Sequence, residues 1–357
     1  MGAAKYIEVV EWIQKQIETK ALLPGAKIYS ENELSEMFHL SRQTIRHAIG
    51  LLEEKGILVR VKGSGTYINV NVGSAITERT RIALVTTYVN SYIFPKTIQG
   101  IENILSEKGY SVQISFTNNM VERERMILED LIMKNEVAGI IMEPTRSGLP
   151  NPNLDLYQEL KKLRIPMIFI NSYYKELDIP HVSLNDKLVA KKATKYLIDA
   201  GHKRIGAILK LDDGQGHRRY AGFYEAMNEA GLSIEDESIV WVDTFDVQNL
   251  TKSKDYIVGR LSSCTAVLCY NDQVAYDFIT LLQGVGLSVP EDISVIGIDG
   301  SELTNMGDVK ITSLPHPIDK LGEKAALNLV EMIRNPIFNG TYEFDADVCQ
   351  LNSVKKI

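Results

Sequence analysis

Glu143, Asn171, Asn271 and Asp299 each stand at or just past the end of a short apolar run. A strand end is where open α/β sheets place their ligands. Arg219 falls at the start of a helix after another such run, and His316 follows a chain return to the hinge between the two series. The first run is followed by Tyr88, then by Tyr92-Ile93-Phe94-Pro95. Carboxylates, amides and an arginine both donate to and accept from hydroxyls, and aromatic rings stack on sugar C–H faces. The set suits a polyol. A second set lies near the N-terminus. Arg42 and Arg46 are four residues apart, so on a helix they share a face, with Gln43 beside them. Arginine can grip guanine O6 and N7 with two donors, and glutamine can pair with adenine.

Other chemistries lack their parts. The six histidines, at 39, 47, 181, 202, 217 and 316, form no nucleophile-base-orienter pattern. Gly214-Gln215-Gly216-His217 is rich in glycine but too short for a phosphate loop, and it has no lysine. The three cysteines, Cys264, Cys269 and Cys349, have no metal-ligand spacing and fit a reducing cytosol. No catalytic residues, metal or cofactor are therefore expected. No apolar stretch approaches the roughly 20 residues of a membrane helix, and the charged N-terminus does not read as a signal peptide. A cytoplasmic protein without membrane contact is expected.

Periodicity gives the elements that must carry these residues. Ile82–Thr87, Val112–Phe116, Gly139–Met142 and Met167–Ile170 are apolar runs separated by helix-length stretches such as Thr97–Lys108 and Glu122–Asn135. Ile205–Leu209, Val240–Val242, Ala266–Cys269 and Ser294–Ile298 repeat the series after Asn185. Apolar strands alternating with helices mean parallel sheets covered on both faces, and two series mean two similar lobes. Asp186, following Asn185, reads as a crossover or cap residue.

The first 70 residues differ. Tyr6, Val9, Val10, Ile13 and Ile17 recur at helical spacing, and Leu23-Pro24-Gly25 stops that helix. Ser30 with Glu33 forms a capping box, and Leu34, Met37 and Phe38 give a short helix. Ser41 caps the next, whose apolar side is Ile45, Ala48, Ile49, Leu51 and Leu52, and Gly56 ends it. Ile57–Val61 and Gly65–Ile68 flank Lys62-Gly63-Ser64 as a hairpin. That order is a winged helix-turn-helix, whose second motif helix would enter the major groove. Lys62 and Gly63 at the wing tip can approach a phosphate. The domains are read as 1–70 for this head, 71–80 for a polar linker and 81–357 for the body. The chain carries a net charge of -7, yet the first 70 residues hold nine Lys and Arg against eight Asp and Glu. The negative balance belongs to the body, and DNA needs a basic face rather than a basic protein.

Two resemblances add to this reading. Ser30-Glu31-Asn32-Glu33-Leu34, Phe38, Ser41-Arg42-Gln43-Thr44-Ile45-Arg46-His47-Ala48 and Gly63-Ser64-Gly65-Thr66-Tyr67-Ile68 resemble the GntR-family DNA-binding domain. Tyr29 departs from the family's usual proline, at a turn where little effect on DNA reading is expected. The resemblance implies Lys5, Glu31, Arg42, Gln43, Arg46 and Lys62 as the DNA-facing set. Residues 81–335 resemble the LacI-type effector domain, itself similar to periplasmic sugar-binding proteins. The match rests on Gly201-His202-Lys203-Arg204-Ile205-Gly206, Tyr270-Asn271-Asp272-Gln273-Val274-Ala275 and Val289-Pro290-Glu291-Asp292-Ile293-Ser294-Val295-Ile296-Gly297-Ile298-Asp299. It implies an effector held by positions such as Arg219, Asn271 and Asp299.

The pairing of the two is similar to regulators of arabinose use in Gram-positive bacteria. Supporting stretches are Thr86-Thr87-Tyr88, Thr117-Asn118-Asn119, Glu143-Pro144-Thr145 and Asp212-Asp213-Gly214-Gln215-Gly216. This implies a homodimeric repressor on double-stranded operator DNA, released by a monosaccharide, L-arabinose. From the residues alone the effector could also be another sugar or a purine, and the body alone could serve a non-regulatory sugar-binding protein.

Overall fold

Val9, Val10 and Ile13 lie on one side of helix α1 (Tyr6–Glu18) and are buried against Leu34, Ile45, Ile49 and Leu52. These last belong to α2 (Glu31–Phe38) and α3 (Arg42–Glu54). Ser30 caps α2 as expected: its Oγ accepts from Glu33 N, while Glu33 reaches back to Ser30 N at 2.7 Å. Ser41 Oγ accepts from Thr44 N at 3.2 Å. Strands β1 (Leu58–Val61) and β2 (Gly65–Ile68) pair antiparallel, and Gly63 at the tip has φ 79°, a left-handed turn suited to glycine. The computed structural model describes residues 6–19, 21–54, 56–69, 79–89 and 92–357. Lys5 and most of the expected linker lie outside them.

The body has two lobes. Lobe 1 runs β3 (Arg81–Thr86), α4 (Phe94–Glu107), β4 (Ser111–Phe116), α5 (Val121–Lys134), β5 (Gly139–Met142), α6 (Leu154–Lys162), β6 (Met167–Ile170) and β7 (His181–Leu184). Lobe 2 runs α7 (Asp186–Asp199), β8 (Ile205–Lys210), α8 (Gly214–Glu229), β9 (Ile239–Val242), α9 (Thr244–Gln248) and α10 (Lys254–Leu261). It continues through β10 (Ala266–Cys269), α11 (Asp272–Gln283), β11 (Ser294–Asp299) and β12 (Thr312–Pro315). The chain then returns to lobe 1 as α12 (Ile318–Arg334) and β13 (Tyr342–Phe344). The sheet orders are β13-β7-β6-β5-β3-β4 and β12-β11-β10-β8-β9, and the described neighbours within both are parallel.

Each sheet is sandwiched between two apolar layers, so the continuous runs read as buried strands are buried. The exception is β4, where Ile114 and Phe116 are exposed because the strand closes the edge of its sheet. Glycines set the helix spacing. A Cβ at Gly100 would sit 2.7 Å from Asp319 O, and one at Gly322 would collide with Thr97 O, so α4 and α12 touch backbone to backbone.

The chain crosses between lobes at three places: after β7, after β12 and after β13. Beyond the last crossing, Val295 N donates to Ser353 O at 2.8 Å and Ile357 N to Ala200 O at 2.9 Å, fastening the C-terminus to lobe 2. All three crossings leave from one side of the sheets, so β4 and β9 lie on the side farthest from the hinge.

Of the two roles expected for Asp186, it stands at the crossing into lobe 2 but is not the cap. Asn185 is the cap, its Oδ1 accepting from Leu188 N at 3.1 Å. Asp186 is buried and bonded to Arg219.

Candidate functional site: an interlobe cleft and a winged-helix face

The cleft between the lobes holds a cavity of about 620 Å³, within the usual range for small-molecule sites. Strand ends supply its polar wall, as open α/β sheets dictate. From lobe 1 come Tyr88, Tyr92, Phe94, Glu143 and Asn171; from lobe 2 come Arg219, Asn271 and Asp299. Sequence reasoning named all eight, and the fold brings them together.

Buried polar groups here are spoken for in a graded way. Glu143 accepts from Thr87 N at 2.9 Å and from Asn171 Nδ2 at 2.8 Å. Burial pushes its carboxyl above the usual range, and these hydrogen bonds pull it part of the way back. Asn171 Oδ1 is buried and has no hydrogen-bond partner among the described residues. A buried acceptor left unpaired is costly, so a donor from a ligand would find it ready. Asn271 caps α11 through Oδ1, which accepts from Val274 N at 3.0 Å, so capping occupies only one end of its amide.

Arg219 is the charge anchor. It donates from Nε to Asp186 at 2.9 Å, from one terminal nitrogen to Tyr270 O and from the other to Asp299 at 3.3 Å, with its guanidinium 4.8 Å from the Tyr270 ring centre. Burial disfavours its charge, but the two carboxylates overcome that and hold the group more firmly protonated than a free arginine. Asp299 is raised by burial and held down by Arg219 and by Tyr92, whose hydroxyl donates to it at 2.7 Å from the other lobe.

Three lining residues, Tyr92, Asn171 and Asp299, have φ of 57°, 63° and 107°. Left-handed backbone at non-glycine residues costs about 1–3 kcal/mol each and persists where packing enforces it, often at ligand sites.

His316 is placed differently. It is absent from the cavity lining and is buried behind it, its N–H donating to Asp299 O at 2.8 Å. Neither ring nitrogen has a hydrogen-bond partner among the described residues. Burial, reinforced by Arg219, pushes its pKa down to about 4.

On the head, Arg42, Gln43, Arg46, Lys62 and Gly63 are all exposed, while Ile45 between the arginines is buried. Glu31 accepts from Arg46 Nε at 2.6 Å and pairs with Arg60 at 3.4 Å. It ties an arginine of α3 to the start of α2.

Two domain models match this architecture: bacterial regulatory proteins of the gntR family over residues 5–68, and a periplasmic binding protein-like domain over residues 194–342. The arabinose metabolism transcriptional repressor of Halalkalibacterium halodurans is 37% identical over 92% of this chain and 89% of its own length. That of Geobacillus stearothermophilus is 34% identical over 99% of this chain and 98% of its own. The chain belongs to this family of gntR-type transcriptional regulators with a periplasmic-binding-protein-like effector domain. Among solved structures, the transcription regulator CcpA of Lactococcus lactis overlays with a TM-score of 0.69 at 24% identity, covering 78% of this chain and 100% of that one, a likeness of fold.

Sequence reasoning did not place Lys210, Thr244 or Gln248 in the cleft, yet all three line it. Lys210 ends β8, so the strand-end rule could have found it. Thr244 and Gln248 sit on the five-residue helix α9, too short to carry a periodic signal.

Proposed function

We propose that this protein represses sugar-utilisation genes and is released from operator DNA by L-arabinose bound between its lobes. Residues 1–70 would form the DNA-binding domain, 71–80 a linker, and 81–357 the sugar-binding and dimerisation domain. The observation that carries the ligand class is Asn171 Oδ1, a buried acceptor without a partner among the described residues, in a wall shared by Glu143, Arg219, Asn271 and Asp299. Hydroxyls of a monosaccharide satisfy such a wall. The names of the two relatives at 37% and 34% identity support arabinose in particular.

In this reading Arg42, Gln43 and Arg46 reach base edges, and Lys5, Lys62 and Gly63 meet the backbone. Glu31 steers Arg46. A dimer places two heads on a pseudo-palindromic site. His316 supports the site from behind, against Asp299. Sugar draws the lobes together and disfavours the head spacing that DNA needs. The protein acts by binding, without catalysis, in the cytoplasm. Among the described residues no helix is long and apolar enough to cross a membrane.

The test is reciprocity. If arabinose weakens operator binding by some factor, operator weakens arabinose binding by the same factor. Calorimetry of the sugar with and without operator duplex reads it; an unchanged sugar affinity would falsify the antagonism.

A further inference from the structure

The stretches Thr117-Asn118-Asn119 and Asp212-Asp213 contribute little to the effector wall, and the fold joins them to each other. Asn119 follows β4 and Thr244 follows β9, the strands farthest from the hinge. Asn119 Nδ2 donates to Thr244 Oγ1 at 2.6 Å and to Asp212 Oδ2 at 3.4 Å. Thr244 Oγ1 in turn donates to Asp212 Oδ2 at 2.7 Å. Asn119 and Asp212 are both 2% exposed. Asn119 Oδ1 accepts from Arg146 N at 2.8 Å, and Arg146 Nε lies 3.9 Å from Asp212. The neighbouring backbones also meet, Gly148 N donating to Asp212 O at 3.1 Å.

We infer that Asn119 and Asp212 are positioning residues for the effector response: they latch the mouth of the cleft and set sugar affinity without touching sugar. Three features carry this. The bonds join lobe 1 to lobe 2 directly. They lie at the longest lever arm from the hinge, so a small rotation of the lobes breaks them. Asn118 and Asn119 have consecutive left-handed φ of 51° and 55°, which aim the Asn119 amide across the gap. A contact present only in the closed form raises the population of that form. Ligands that need the closed form then bind more tightly by that factor.

This rests on the proposed opposition of sugar and operator, and it makes a signature that damage to the fold would not. Loosening the latch weakens sugar binding while sugar-free DNA binding holds or strengthens.

The experiment compares full-length wild type, Asn119→Asp and the double variant Asn119→Asp with Asp212→Asn. Aspartate tolerates the left-handed backbone and keeps the Arg146 N bond. It loses the amide donor and sets a carboxylate against Asp212. The probes are L-arabinose by calorimetry and a DNA duplex selected on the wild-type protein from a random library. Asn119→Asp is expected to weaken arabinose binding about tenfold, with sugar-free DNA affinity equal to or above wild type. The double variant restores an amide facing a carboxylate and returns arabinose affinity to near the wild-type value. Unchanged arabinose affinity in Asn119→Asp overturns the latch. So does a joint loss of sugar and DNA affinity, or a double variant that fails to recover. If wild type itself neither binds arabinose nor shows antagonism with DNA, the functional reading fails, and the latch as an effector device falls with it.

Discussion

Asp186 holds the Arg219 guanidinium at 2.9 Å, and both side chains are sealed from solvent. Asp186 opens lobe 2 immediately after the first hinge crossing, and Arg219 reaches from α8 toward Asp299 in the cleft. The pair therefore links the start of lobe 2 to the cleft wall.

Removing one member of such a pair strands the other's charge in the interior. Asp186→Ala is expected to destabilise the body by about 3–5 kcal/mol, read as a lower thermal midpoint. Asp186→Asn keeps the shape and a weaker hydrogen-bond acceptor, and is expected to cost less stability while still weakening sugar binding. Equal midpoints for Asp186→Ala and wild type would show that the pair carries no weight.

On the DNA side, Arg42→Ala and Arg46→Ala are each expected to weaken operator binding by about 1–3 kcal/mol and to relax base preference at one position. Lys62→Ala is expected to act evenly across sequences and to flatten the salt dependence. Glu31→Gln is expected to cost less than Arg46→Ala, since it frees the arginine without removing it. Fluorescence anisotropy on a panel of duplexes at several salt concentrations separates these outcomes.

His316 gives a pH dependence with a definite sign. Its pKa falls from 6.5 in the unfolded chain to about 4 in the folded one. Between these values the unfolded chain takes up a proton that the folded chain refuses. Stability from this group is complete above about 6.5 and is lost as pH drops toward 4, by about 3 kcal/mol. Asp272 runs the other way: burial and the nearby Asp299 raise its pKa to about 7, so its contribution is lost as pH rises from about 4 to 7. Comparing His316→Gln with wild type cancels the Asp272 effect. Chemical denaturation from pH 4 to 7 should show a shallower acid loss in the variant. Parallel curves would refute the assignment.

Gly322→Ala is expected to destabilise lobe 1 by about 1–3 kcal/mol, because its methyl would meet Thr97 O at the α4–α12 crossing. The head is spared. Calorimetric unfolding should shift the body transition while DNA-head melting stays in place.

Much of this architecture was legible in the sequence because the signals are local. Ser30 with Glu33 marked a helix start, and apolar runs ending in Glu143, Asn171, Asn271 and Asp299 marked strand ends aimed at one cleft. What escaped was non-local or short. Strands β7 and β13 have four and three residues and pair across the whole of lobe 2, beyond the reach of any periodic pattern. Asn185 and Asp186 are both polar residues at a helix start, and only the packing of α8 against α7 tells the cap from the buried ion. His316 follows a return of the chain to the hinge, and that return seats it behind Asp299 instead of in the cleft wall. The exposure of β4 follows from its place at the sheet edge, which depends on the order of all six strands.

Arg79 donates to Asn135 Oδ1 at 3.0 Å and to Val137 O at 3.1 Å, just before β3 begins the body. Strand β3 then runs between β4 and β5, and every ladder of both lobes is formed from residues after this point. The body is thus a cassette with its own clasp at the upstream end. A chimera spliced ahead of Arg79, carrying a head with a different operator, leaves all these pairings intact. In the proposed reading such a junction would let the sugar-binding body take a new head and serve a new set of genes, once the contacts of Gln14 with Asn335 and of Arg164 with Gly56 O are rebuilt.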